Sequence, residues 1–361
     1  MNYLISFITF AIVLFFYIHI NHHYKTSNDL EIYNIENPSR DRLEEVCNLK
    51  QPFVFKFYNE DLMDIFTFNY LSKKFGQFDI NIRKIDDYDE DTELYLPFSI
   101  KRSEKLFNKK SSYITENNGD FISETGLIRY LNQNDENLKP PLCSNCFYDF
   151  IYGSNETCTP LRYSINYRNY ILVTNGTAHI KLVCPEDKKY LNHEKDYDNF
   201  EFRSKLDLWK CGDETKLRIL DVTLNRGDIF YIPSYWWYTI KFNKNTNICT
   251  FQYRTYMNNI AILPELTLHF FQKQNTKLIS IKTVKKEKML DKKNEMPEEI
   301  VLDNDKEEEE EEQEQEEEHQ TRSSEENHEE NINDLVNVEV DNELKELGKE
   351  TKSLNPIEAV D

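Results

Sequence analysis

Charged side chains are missing from the start of the chain, where no Asp, Glu, Lys or Arg precedes Lys25. The apolar run 3–20 reaches about the 18 residues at which a helix begins to span a bilayer. Cleaved signal peptides begin with basic residues and end in a small-residue cleavage pattern, and this segment has neither. The sequence therefore favours an uncleaved signal anchor over a cleaved signal peptide, with His22 and His23 as a solvated flank.

Basic residues are outnumbered, with 44 Lys and Arg against 65 Asp and Glu and a net charge of -21. Residues 298–361 hold 26 acidic and 5 basic side chains, so this tail accounts for the whole imbalance. We expect the tail to be disordered. It is either a solubilising segment or one that buffers calcium or docks a basic partner. The basic stretch 277–293 lacks interleaved aromatics, which argues against nucleic acid binding.

A second Cys or His pair at zinc-ligand spacing is also missing, which disfavours a zinc site around Cys143 and Cys146. These two cysteines and Cys158 are instead candidates for a disulfide in an oxidising compartment. Asn155 and Asn175 each begin a glycosylation sequon. Together these signals favour a single-pass membrane protein of the endoplasmic reticulum or secretory pathway, with its domain in the lumen.

Short apolar runs bounded by Asn, Asp, Gly and Pro predict a mainly β fold. Predicted strands cover 53–55, 170–173, 180–183, 219–222, 229–232 and 248–251, and predicted helices cover 62–75 and 124–133. We expect a mostly antiparallel double-stranded β-helix, which forms a barrel with helices outside it. The predicted organisation is an anchor (1–20), a linker (21–44), the barrel domain (45–270), a basic linker (271–297) and the acidic tail (298–361).

One segment predicts a turn, a strand and an aromatic closure of the barrel. Gly227 and Asp228 supply the turn, and Pro233 ends the strand. Trp236 and Trp237 then bring large apolar surfaces to the core. These residues support the fold whether or not the protein has catalytic activity.

Two motifs stand out in the sequence. The first comprises Thr159-Pro160-Leu161-Arg162-Tyr163-Ser164 with Asn169, Gly176 and Cys184-Pro185, and the second comprises 225–240, including Gly227-Asp228-Ile229-Phe230-Tyr231-Ile232-Pro233 and Trp236-Trp237. Together they resemble the cupin-like Jumonji-C family of iron and 2-oxoglutarate oxygenases, which implies a cupin-like barrel. The resemblance places the family's first His on Arg162, its Asp on Ser164 and its distal His on Tyr238. The Lys that holds the cosubstrate falls near Ala178.

Those three substitutions remove the metal ligands that the resemblance implies. Fe(II) in this family needs two imidazoles and a carboxylate. A guanidinium has no lone pair to donate, a serine hydroxyl is a weak neutral donor, and a tyrosine phenol stays protonated near pH 7. A displaced site would have to draw on His179, His193 or His269. We therefore expect no metal and no cofactor.

The favoured hypothesis is a membrane-anchored, non-catalytic binding or scaffold module. Its expected partners are a lipid bilayer along residues 3–20 and an unknown protein or small molecule. The alternative is an oxygenase with a non-standard iron site that uses Fe(II) and 2-oxoglutarate. For Arg162 two interpretations are open: it binds a small anion together with Tyr238, or it points into solvent at the barrel mouth.

Overall fold

The computed structural model describes residues 2–85, 95–109, 112–210 and 216–275. The acidic tail and the basic linker beyond residue 275 lie outside the described residues.

Fifteen strands are found in the described ranges. They are β1 Tyr33–Ile35, β2 Phe53–Lys56, β3 Asp79–Lys84, β4 Leu96–Ser99, β5 Tyr113–Thr115, β6 Cys143–Gly153, β7 Leu161–Tyr163, β8 Arg168–Asn175, β9 Thr177–Val183, β10 His193–Asp196, β11 Glu201–Ser204, β12 Ile219–Asn225, β13 Asp228–Tyr231, β14 Trp237–Phe242 and β15 Asn247–Thr255.

Ten α-helices accompany the strands in the same ranges. They are α1 Asn2–Tyr24, α2 Arg40–Asn48, α3 Glu60–Ile65, α4 Phe68–Phe75, α5 Ile100–Lys109, α6 Gly119–Glu124, α7 Ile128–Asn132, α8 Asp135–Leu138, α9 Tyr256–Ala261 and α10 Leu263–Lys273, and a 3-10 helix covers Pro185–Tyr190.

The strands form two sheets that face each other. The larger has the order β1-β2-β13-β8-β15-β6-β5-β3-β4, and the smaller has the order β10-β11-β7-β14-β9-β12. All these pairs are antiparallel except β1 with β2, which is parallel. The predicted mainly β, double-stranded β-helix with flanking helices is confirmed.

Alternation along the strands divides the core into three layers. Ile171 of the larger sheet and Ile180 and Ile240 of the smaller sheet pack together between the sheets. The outer face of the larger sheet, with Tyr170 and Leu172, packs under helices α2 to α8. A third cluster covers the outer face of the smaller sheet. The space between the sheets is therefore the barrel interior.

Adjacent tryptophans of the second motif serve two of these layers. Trp236 belongs to the interior cluster and Trp237 to the cluster outside the smaller sheet, and both are fully buried. The strand before them begins at Gly227, whose positive φ of 84° suits glycine at this turn. Asp228 accepts a hydrogen bond from the Asn225 backbone N–H at 2.8 Å and pairs with Lys56 at 2.7 Å.

Both predicted helices differ from the observed ones. The segment 62–75 forms α3 and α4, because Thr67 leaves the helical conformation and its hydroxyl caps α4 by accepting from the Tyr70 N–H. The segment 124–133 contains the end of α6 and then α7, with Gly126 at φ +71° between them. The Thr67 cap and the left-handed turn at Gly126 interrupt the helices that the apolar pattern predicted to be continuous.

The predicted linker 21–44 also differs, because it contributes regular structure. α1 continues to Tyr24, β1 pairs with β2 in the larger sheet, and α2 begins at Arg40 with Ser39 as its cap. β1 has only three residues, which is too short for a clear alternation signal in the sequence. The larger sheet thus begins before residue 45.

Within the described residues, α1 is long and apolar enough to cross a membrane, from Tyr3 to Tyr24. Its last turn behaves differently from the rest, because His23 is buried while His22 is exposed. The Tyr235 hydroxyl lies 3.0 Å from His23 Nε2. The prediction that His22 and His23 form a solvated flank is therefore wrong for His23, which contacts a tyrosine that is distant in sequence.

Candidate functional site

The three positions that the two motifs singled out, Arg162, Ser164 and Tyr238, lie together in the barrel interior. Arg162 on β7 is directly opposite Tyr238 on β14 in the antiparallel register, and Ser164 follows β7 two residues after Arg162. All three line a cavity of about 670 Å³. Residues i and i+2 of a strand share a face, so the spacing in the sequence puts Arg162 and Ser164 on the cavity side.

Arg162 does not point into solvent. Its Nη1 atom lies 2.8 Å from Glu116 Oε2 and 3.0 Å from Glu201 Oε1. Arg83 contacts the same two carboxylates, with Nη2 2.7 Å from Glu116 Oε1 and Nη1 2.9 Å from Glu201 Oε2. We call this closed set of four alternating charges, Arg83, Glu116, Arg162 and Glu201, the ion-pair ring.

The ion-pair ring ties the two sheets together. Arg83 lies on β3 of the larger sheet and Glu116 directly follows β5, whereas Arg162 and Glu201 lie on β7 and β11 of the smaller sheet. Side-chain exposure is 1% for Arg83, 2% for Glu116, 9% for Glu201 and 14% for Arg162. Buried charges are tolerated only when they are paired and hydrogen-bonded, and in this ring each charge has two opposite neighbours.

The charges of the ring determine the ionisation of its members. Burial acts to raise the pKa of Glu201, but Arg83 and Arg162 outweigh it and lower this pKa to about 2. Burial acts to lower the pKa of Arg162, while Glu116 and Tyr238 raise it well above its usual value. The ring therefore keeps both groups charged at neutral pH.

Two tyrosines border the ring. The Tyr95 hydroxyl donates to Glu116 Oε1 at 2.9 Å. The Arg162 guanidinium lies 5.9 Å from the centre of the Tyr238 ring. Burial raises the pKa of Tyr238, although Arg162 opposes the change. Tyr238 therefore stays a neutral phenol beside a permanent cation.

An iron ion does not fit these residues. The position of the first ligand holds a guanidinium that is already engaged by two carboxylates, and the other two positions hold Ser164 and Tyr238. In the part of the chain that the structure describes, no group of three His, Cys, Asp or Glu side chains could hold a metal ion. The mismatch rests on the chemistry of the donors, because neither a guanidinium nor a neutral phenol offers a ligand for Fe(II).

The histidines considered for a displaced site lie apart. His179 on β9 contacts Thr223 and Asn243, and His269 on α10 contacts the Tyr197 carbonyl. His193 begins β10, and its ring lies 6.5 Å from that of Trp237.

Ala178 lies on β9 with its side chain in the interior layer, followed by Ile180 and Leu182 on the same face. Lys181 points to the other face, where its Nζ donates to the Leu208 carbonyl at 3.2 Å. The interior face of β9 therefore presents only apolar side chains at the position where the resemblance implies a lysine.

A different cation lies at the cavity wall. The Arg254 guanidinium lies 4.8 Å from the ring centre of Phe147 and 4.9 Å from that of Phe200, and its Nε donates to Asn166 Oδ1 at 2.5 Å. Burial lowers the pKa of Arg254 to about 10, so it stays protonated at neutral pH. Arg254 forms no ion pair with the residues described here, so its charge is available to a ligand.

The cavity also holds a buried carboxyl group. Asp149 accepts from the backbone N–H groups of Asn117 at 2.7 Å and Asn118 at 2.8 Å. Burial raises the pKa of Asp149 to about 7, although these two N–H groups act in the opposite direction. With Arg254, this group makes the cavity wall polar on the side of the larger sheet.

The sequence did not predict four of the residues at this site, Arg83, Glu116, Glu201 and Arg254. They come from four separate parts of the chain, and neither glutamate belongs to a motif. The stretch Glu201-Phe202-Arg203-Ser204 is a buried strand in the structure, but with a single apolar residue it gives no alternation signal in the sequence.

The predicted disulfide and glycosylation positions lie at the barrel ends. The Cys143 and Cys146 sulfurs are 3.7 Å apart, and all three candidate cysteines carry free thiols. The backbone of Cys158 pairs with that of Lys241 in an isolated antiparallel β-bridge. Asn155 is exposed, whereas the Asn175 side-chain amide donates to the Asn245 carbonyl at 3.0 Å.

A family model described as a cupin-like domain matches residues 19–258, more than half of the 361-residue chain. No curated protein matches the chain. The matched range begins inside α1, ends inside α9 and includes every member of the ion-pair ring.

Proposed function

This chain belongs to the cupin-like domain family, and we propose that it is a membrane-anchored member that binds a ligand or partner without catalysing a reaction. The observation that carries the proposal is the ion-pair ring. A guanidinium, fixed by two buried carboxylates, replaces the first imidazole that an iron site of this family would need. The α1 helix is the proposed anchor.

The ion-pair ring supports a structural role for Arg162, at the position where an iron-binding member of the family would have its first metal ligand. In a metal-binding barrel, the ion would join side chains from neighbouring strands. Here Arg83 and Arg162 join carboxylates from both sheets, so the two sheets are linked without an ion. The cavity of about 670 Å³ is within the usual size range of small-molecule sites.

The absence of catalysis is tested by measuring iron and turnover. The full chain, purified in detergent without a histidine tag, should contain far less than one iron per chain after incubation with Fe(II). It should also form no succinate from 2-oxoglutarate above the level of a protein-free control. One iron per chain together with succinate formation would contradict the proposal.

Restoring the ligands tests the assignment of the three positions. The combined change Arg162→His, Ser164→Asp and Tyr238→His should introduce divalent metal binding, because it supplies the donors and removes the guanidinium that occupies the first position. The control carries Ser164→Asp and Tyr238→His but keeps Arg162. It should bind no metal, since the guanidinium still occupies the first position. A folded triple variant without metal binding would count against the assignment.

The cavity wall indicates what kind of ligand could bind. Arg254 offers a desolvated guanidinium between two phenyl rings, an arrangement suited to a carboxylate on a small molecule or peptide. Succinate and glutarate should raise the melting temperature of the full chain, and Arg254→Met should abolish the increase. Arg129→Met, which removes an exposed arginine outside the cavity, is the matched control. If neither dicarboxylate shifts the melting temperature, carboxylate binding at Arg254 is wrong.

A lumenal domain in the secretory pathway is the proposed location. The exposed position of Asn155 in the loop after β6 supports it, because a glycan there would extend into solvent.

A further inference from the structure

The apolar helix α1 is joined to the barrel without a flexible spacer. Asn258 of α9 lies within hydrogen-bonding distance of His23, with Nδ2 3.2 Å from Nε2, and the Tyr24 hydroxyl donates to the Ala261 carbonyl at 2.6 Å. His23 is three residues beyond Ile20, which is about 4.5 Å along a helix axis. Wherever α1 ends its passage through a bilayer, α9 must therefore lie next to the membrane surface.

The helix that follows α9 presents an apolar face away from the barrel. Four large side chains of α10, Leu263, Leu268, Phe270 and Phe271, are between 47% and 63% exposed. The opposite side of α10 makes the contacts with the barrel, through Leu266 in the outer cluster of the smaller sheet and through His269. Soluble helices normally show the reverse arrangement, with the apolar side inward.

α9 extends the same surface toward the anchor. Tyr256 and Ile260 are exposed on α9, and Ile262 is the single residue between α9 and α10. We call Tyr256, Ile260, Leu263, Leu268, Phe270 and Phe271 the α9–α10 apolar face. Six large, exposed apolar side chains within residues 256–271 are more than the scattered single ones of an ordinary surface and indicate a protein or membrane interaction site.

Two observations favour a bilayer over a protein as the occupant. The first is the attachment of α9 to the end of α1, which positions the face beside the proposed membrane span. The second is the charge of the sequence directly after α10. Residues 277–293 contain seven Lys against two acidic residues, which complements the phosphates of lipid headgroups.

We propose that the α9–α10 apolar face inserts into the headgroup region of the same bilayer that α1 crosses. The barrel is then held at two points, and its orientation to the membrane is fixed. This inference rests on the proposed anchor, because a chain without a membrane span would have no bilayer at this position.

Brominated lipids, which quench tryptophan at short range, provide the test. The full chain carrying Phe271→Trp is reconstituted in phosphatidylcholine vesicles with and without brominated acyl chains, and Leu268→Trp is a second reporter on the same face. The matched control is Tyr58→Trp. Tyr58 is also highly exposed. It lies beyond the Lys56–Asp228 end of the β2–β13 pair, whereas Tyr235, which contacts His23 at the end of α1, follows the opposite end of that pair.

Bromination should reduce the emission of the Phe271→Trp and Leu268→Trp proteins at least two-fold more than that of the Tyr58→Trp protein. Equal quenching in all three proteins would overturn the inference. Blue-shifted but unquenched emission at 271 and 268 would also overturn it, because another part of this chain or a second copy would then cover the face.

Carbonate extraction of the same vesicles separates the two proposals. If the protein is released from the vesicles at high pH, the anchor itself is wrong. If it is retained but the reporters on α10 are not quenched, the anchor stands and the docking of the α9–α10 apolar face is wrong.

Discussion

Removing Arg83 from the ion-pair ring should destabilise the barrel strongly. Arg83→Met keeps much of the side-chain volume but leaves Glu116 with Arg162 alone, and leaves Glu201 with Arg162 and with Arg203, whose Nη1 lies 3.9 Å away, so the ring loses one of its two cations in a buried place. Breaking a buried ion pair by removing one partner costs about 3–5 kcal/mol. For a domain of this size, 1 kcal/mol corresponds to a shift of about 2–4 °C in the melting temperature, so we expect a decrease of about 6–20 °C.

A surface pair of similar length supplies the matched control for this experiment. Arg42 Nη1 lies 2.8 Å from Glu45 Oε2, but the two side chains are 61% and 68% exposed. Arg42→Met should change the unfolding free energy by less than about 1 kcal/mol. Both variants are compared with the original full chain in detergent by tryptophan fluorescence on heating, since Trp236 and Trp237 are buried and report on the core.

A double variant tests whether the charges of the ring interact. Glu201→Gln added to Arg83→Met leaves one glutamate for one arginine, so the double variant should be more stable than the sum of the two single effects implies. A melting temperature for Arg83→Met within about 2 °C of the original chain would refute the reasoning. Strict additivity in the double variant would show that the ring members do not interact.

Three further predictions concern the pH dependence of stability, the packing at Gly153 and glycosylation at Asn155. The pKa of Glu201 is lowered to about 2 in the folded state, so its contribution to stability is present above the usual value of 4.5 and is lost as pH falls from about 4.5 to about 2; acid unfolding should move to higher pH when Arg83 is removed. Gly153→Ala places a Cβ 2.6 Å from the buried Phe242 ring and should destabilise by about 1–3 kcal/mol in denaturant titrations; an unchanged midpoint would contradict this packing. Endoglycosidase treatment of protein from secretory cells should increase its gel mobility, and Asn155→Gln, but not Asn175→Gln, should abolish that increase; no mobility change at all would argue against a lumenal domain.

Local sequence signals predicted the elements whose hydrophobic pattern matches their burial in the structure. The strand that became β13 is flanked by a turn glycine and a proline, and its residues are buried on both faces, so a continuous apolar run identified it. The resemblance singled out Arg162 and Tyr238, and the structure places them directly opposite each other on β7 and β14, although neither strand was among the predicted ones.

The partners of Arg162 could not be predicted in the same way. Glu116 and Glu201 are 85 residues apart, and each resembles an ordinary surface glutamate in its local sequence. Their burial depends on how β5 and β11 meet across the two sheets, which is a long-range property. His23 was misjudged for the same reason, because its partners Tyr235 and Asn258 follow it by more than 200 residues.

The closed ring has an evolutionary consequence. Replacing Arg162 with histidine alone would take one of the two ring cations away from Glu116 and Glu201 inside the protein. Such a change should be tolerated best when a second substitution removes one of the carboxylates. The four residues that stabilise this barrel thus restrict how position 162 can change by single substitutions.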